Sequence, residues 1–84
     1  MTERYQARDR LRWRCRRGML ELDLLLQGFL DRGYARLDLD RQKVFENLLD
    51  YPDDVLLELL MGRSAAADPE VADVIEEIRI TDPH

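Results

Sequence analysis

The sequence predicts an all-α fold, a compact single-domain bundle of five helices. Apolar residues return every three or four positions through most of the chain, the spacing that places them on one face of a helix. Glycine, proline and aspartate fall between these runs, where turns and caps are expected. No stretch alternates apolar and polar residues in the period-two pattern of a half-buried strand.

The first helix is expected over Tyr5 to Cys15, with Leu11 and Cys15 on one face. Arg4, Arg8, Arg12 and Arg16 recur every fourth residue beside it, flanked by Trp13. Gly18 weakens a helix interior and tolerates unusual backbone angles, so it marks the turn into the second helix. Glu21 and Asp23 then fall in or near a first turn, where acids meet the positive end of the helix dipole. Leu22, Leu25, Leu26, Phe29 and Leu30 form the inward face, and Gly33 stops the run.

Asp38 or Asp40 caps the third helix, whose inward face is Val44, Phe45, Leu48 and Leu49. Pro52 ends it and suits the first turn of the fourth helix, about Asp53 to Met61, with Val55, Leu56, Leu59 and Leu60 inward and a stop near Gly62. Ser64 to Ala67 read as a loop. Asp68-Pro69-Glu70 then supplies a cap, a proline fit for the first helical position and an early acid. Val71, Val74, Ile75 and Ile78 make the fifth helix amphipathic. One domain spans residues 1–84, with its core over about residues 5–80.

With 84 residues and 10.0 kDa there is room for one core. Few side chains remain to line an enclosed substrate pocket, which favours binding over catalysis. The only histidine is the terminal His84, and the only cysteine is Cys15, so neither a disulfide nor a cysteine-rich metal cage can form within the chain. Cys15 sits among arginines that could lower its thiol pKa, yet its place on an apolar face reads first as packing. Gly18, Gly28, Gly33 and Gly62 are too dispersed for a dinucleotide-binding fingerprint, so no stably bound cofactor is expected. No apolar run is long enough to span a membrane, and no secretory signal follows Met1. The bacterial cytoplasm is the expected location.

Charge is uneven. Residues 1–17 hold seven arginines against Glu3 and Asp9, while the remainder holds six basic and sixteen acidic side chains, for a net −5. A basic helix on an acidic body is a candidate docking surface. The arginine row also raises a nucleic-acid-binding module as an alternative, against which the acidic body would repel phosphates.

The most specific string is Trp13-Arg14-Cys15-Arg16-Arg17-Gly18-Met19-Leu20-Glu21-Leu22-Asp23, across the junction of the first two helices. On its own, Arg17 with Glu21 could be a local helical ion pair, though Gly18 between them argues against a continuous helix. A glycine flanked by opposite charges also lets a partner surface approach closely while the charges orient it.

This string, with Leu25, Leu26, Phe29 and Leu30 after it, resembles the SdhE-type succinate dehydrogenase assembly factors, a family marked by an Arg-Gly-x-x-Glu motif. The similarity continues through Phe45, Leu48, Leu49 and Asp53 to Gly62. Leu59 departs from it, standing where many relatives carry tryptophan. The resemblance implies a five-helix bundle, not an enzyme itself, that binds the flavoprotein subunit of succinate dehydrogenase, and in some bacteria that of fumarate reductase, and promotes covalent FAD attachment there. It also implies Arg17, Gly18 and Glu21 as partner-binding residues, with Arg16 and Asp23 as neighbours and Trp13 in support. An antitoxin role is a further alternative, attached to relatives by an older description.

Overall fold

The computed structural model describes residues 9–81. Helix α1 covers residues 9–14 of that span; α2 is Leu20–Arg32, followed by a 3₁₀ turn at Tyr34–Arg36; α3 is Leu39–Leu48, α4 Asp53–Leu60 and α5 Pro69–Thr81. There is no strand among the described residues, so the all-α expectation holds. The expected start of α1 at Tyr5, and Arg4 and Arg8 of the arginine row, lie outside the described residues.

Local chemistry accounts for most boundaries. Asp38, not Asp40, caps α3, its side chain accepting from the backbone N–H of Arg41 at 2.8 Å. Asp68 accepts from the N–H of Glu70 at 2.9 Å while Pro69 takes the first position of α5. Pro52 differs from expectation. With ψ at 147° it is the N-cap residue of α4, outside the first turn it was expected to join.

Helix α4 ends in a Schellman motif. The N–H of Arg63 bonds the carbonyl of Glu58 at 2.9 Å and that of Gly62 bonds Leu59 at 3.2 Å, with Gly62 at φ +76°. A side chain there would be strained in backbone and would also press on the Arg79 guanidinium. At the end of α2, Gly33 has the opposite reason for being glycine: a Cβ would overlap the ring of Phe29.

One apolar cluster fills the interior. Leu22, Leu26, Phe29 and Leu30 of α2 meet Phe45 and Leu48 of α3, Leu56, Leu59 and Leu60 of α4, and Val74, Ile75 and Ile78 of α5. Leu11 of α1 and Cys15 just past its end close it. Phe45 packs tilted against Phe29, ring centres 5.3 Å apart, and against Tyr34 at 5.5 Å, the offset geometry that aromatic quadrupoles favour. Tyr34 also donates from its hydroxyl to Glu46 at 2.8 Å, and burial together with that carboxylate pushes its pKa up to about 12. Leu59, the position that departs from the family resemblance, is buried in this core.

Four expected inward residues fall short. Leu25, Val44 and Val71 are half-buried against the cluster, and Val55 is 41% exposed. In α4 the buried stripe is Leu56, Leu59 and Leu60, which turns position 55 toward the helix flank.

Because Leu48 is fully buried where α3 meets the rest of the core, Leu48→Ala is expected to lower unfolding free energy by about 2–5 kcal/mol. A urea midpoint shift at unchanged slope would measure it.

Candidate functional site

The Arg-Gly-x-x-Glu segment sits on the loop between α1 and α2, and that loop is tied down from two sides. From α2, Asp23 reaches back with both carboxylate oxygens: Oδ1 accepts from the N–H of Arg17 at 2.6 Å and Oδ2 from that of Gly18 at 3.3 Å. From below, the Arg17 side chain enters the turn between α3 and α4. Its Nε donates to Asp53 at 2.7 Å, Nη1 to the carbonyls of Leu49 at 2.7 Å and Arg14 at 3.0 Å, and Nη2 to the carbonyl of Tyr51 at 3.0 Å. The side chain is only 16% exposed.

This arrangement follows from helix ends. The last carbonyls of α3 lack partners within the helix and carry partial negative charge, which suits a cation. Asp53 opens α4, so one guanidinium satisfies the close of one helix and the acid at the start of the next. Arg14 acts beside it, donating to the carbonyl of Glu46 at 2.9 Å and to Asp50 at 2.8 Å.

Above this anchorage, Gly18 has φ +81°, and a Cβ there would meet nothing within 4 Å. The glycine is required by backbone conformation on the chain's own side, while the space over it is open. Glu21 is exposed in the first turn of α2 and has no ion-pair or hydrogen-bond partner among the described residues. Arg16 is exposed and lies over the indole of Trp13, 5.3 Å from its centre.

The six sequence-derived residues therefore divide. Arg17 and Asp23 face into the structure and shape the loop; Gly18, Glu21, Arg16 and Trp13 face out. The local Arg17–Glu21 pair does not form, since Arg17 is held by Asp53 instead. Of the described members of the arginine row, Arg12 pairs with Asp31 and Arg16 has no acidic partner among the described residues, while beside the row Arg14 pairs with Asp50 and Arg17 with Asp53. These pairs fasten α1 to the acidic body and leave less free cation for phosphates.

Two features were missed in the sequence. The pairing of Asp53 with Arg17 spans 36 positions, beyond the reach of any local pattern. Leu20 and Leu24 are 74% and 62% exposed; as a pair four apart, opposite Leu22 and Leu26, they could have been noticed as leucines off the core face. With Trp13, 70% exposed, they put large apolar groups on both sides of the Gly18 loop in sequence.

Cys15 is fully buried, and desolvation raises its pKa to about 11 despite the neighbouring arginines. It is a packing residue. Among the described residues no group of three or more His, Cys, Asp or Glu could hold a metal ion, and no helix is long and apolar enough to cross a membrane.

The comparison with known families now bears directly on this geometry. A family described as "Flavinator of succinate dehydrogenase" matches residues 9–82. The chain belongs to this family. Curated relatives named "FAD assembly factor SdhE" are similar over most of their length. That of Legionella pneumophila (strain Paris) is 44% identical over 77 residues, covering 92% of this chain and 96% of the relative. That of Shewanella oneidensis is 43% identical over 70 residues, covering 83% and 85%; that of Coxiella burnetii is 38% identical over 73 residues, covering 87% and 89%. In this flavinator-family chain, then, the motif arginine is bound within the fold, and the glycine and glutamate are presented outward.

Two outcomes are expected. Arg17→Lys keeps the charge but cannot reach all four acceptors, leaving half-buried carbonyls without donors; it should cost about 1–3 kcal/mol in a denaturant titration. Cys15 favours its neutral thiol in the fold, so its contribution to stability is complete below pH 9.0 and is lost as pH rises from there toward about 11. A thiol reagent at pH 8 should label it only after denaturant is added.

Proposed function

We propose that this chain docks through its Gly18 loop and the outer face of α2 on the flavoprotein subunit of succinate dehydrogenase and promotes covalent attachment of FAD there, without being an enzyme. The flavoprotein of fumarate reductase is a second client in this reading, and the bacterial cytoplasm its location. The reading rests on membership of the flavinator family and on the relatives' name, FAD assembly factor.

The observation that carries the site is the open space over Gly18 on a loop held rigid from beneath. A partner backbone can come close at a glycine, and a loop already ordered loses little entropy on binding. Glu21 supplies an unpaired carboxylate for a charge-assisted hydrogen bond. Trp13, Leu20 and Leu24 supply apolar area, and such anchors around a polar contact carry much of an interface's energy.

Attachment itself belongs to the flavin and the partner's histidine. Docking selects a flavoprotein conformation in which ring and histidine are held in reactive geometry, which lowers the entropic part of the barrier. No stable FAD binding by this chain is needed.

Cells lacking the gene should lose covalent flavin fluorescence in the flavoprotein band after denaturing electrophoresis, at constant subunit abundance. Wild-type chain should restore it. Glu21→Ala, an exposed change with little effect on stability, should not. Gly18→Arg should also fail; its backbone strain costs roughly 1–2 kcal/mol, so a melting curve must accompany it. Full restoration by both variants would remove the assigned site.

A further inference from the structure

An open groove of about 510 Å³ runs between α4 and the loop of residues 61–68 that leads into α5. Its floor is apolar. Val55 stands 41% exposed there, beside Ala66 and Val71, which are half-buried against the core.

Its rim is acidic, lined by Asp54, Glu58 and Asp68. Arg63 pairs with Glu58 at 2.9 Å. Asp54 and Asp68 have no cationic partner among the described residues; each accepts only a local backbone N–H, from Val55 at 3.0 Å and from Glu70 at 2.9 Å.

The groove is continuous with the anchorage of the motif loop. Tyr51 lines it, and the carbonyl of the same residue accepts from Arg17 at 3.0 Å. Tyr51 thus belongs both to the turn that anchors the motif loop and to the lining of the groove.

We infer that the groove is a second contact for the flavoprotein, seating an apolar segment of it that carries an arginine or lysine between Asp54 and Asp68. This rests on the docking reading above. The floor offers contact area to an aliphatic or aromatic side chain, and the two carboxylates select the segment, because a neutral or acidic one would leave them unpaired or repelled. Two contacts in place of one also set the orientation in which the flavoprotein is held.

The test titrates the purified apo flavoprotein subunit of succinate dehydrogenase with the full chain and two variants outside the motif loop, Val55→Lys and Asp54→Asn, with circular dichroism melts as folding controls. Val55→Lys should weaken binding about tenfold, the effect of losing one anchor. Asp54→Asn should weaken it less and flatten its salt dependence. A photo-crosslinker replacing Ser64 should capture a flavoprotein peptide containing Arg or Lys. Wild-type affinity in both variants, or capture of a second copy of this chain, overturns the groove while leaving the Gly18 site standing. Absence of binding by the wild-type chain overturns both.

Discussion

The guanidinium of Arg17 joins three parts of the chain that are far apart in sequence: the α1–α2 loop that bears it, the end of α3 and the start of α4. Four of its N–H groups are in hydrogen bonds, to one carboxylate and three carbonyls. Lysine offers no equivalent, since its donors radiate from a single point. The loop's exposed geometry depends on this hold, because Gly18 in a left-handed conformation would otherwise have only Asp23 to keep it there.

Within this short motif the inward and outward roles are divided. Arg17 and Asp23 act inward and fix the loop; Gly18 and Glu21 then face outward from a prearranged backbone. The ion pairs of Arg12 and Arg14 extend the same logic along α1. At exposed sites such pairs contribute little individually, but here they accompany the burial of Leu11 and Cys15, and burial of a leucine side chain is worth roughly 1.5–3 kcal/mol. The apolar face holds α1 in place and the arginines orient it.

A bundle of this size commits most of its large apolar side chains to one interior, and those left outside are informative. Trp13, Leu20 and Leu24 cluster in sequence about the motif loop, and Val55 lies over the groove that begins at Tyr51. What faces outward there is exposed apolar area, a carboxylate without a partner among the described residues, and open space over a glycine. That fits a family whose members assist the assembly of another protein's cofactor.

Much of this was legible from residue order. The helices follow from apolar periodicity, and their limits from Asp38, Gly33, Gly62 and the Asp68-Pro69-Glu70 run, because caps and turns are decided by groups within a few positions of one another. The motif string marked the loop between α1 and α2 as the candidate site. Residue order could not show that Arg17 turns inward to Asp53, that Arg12 and Arg14 pair with acids of the body, that Val55 leaves the core stripe or that Leu20 and Leu24 stay outside it. Those outcomes depend on which helices pack together and at what rotation. Partners more than thirty positions apart meet only after the core has closed, so only the tertiary structure decides which charges face inward and which remain for a partner.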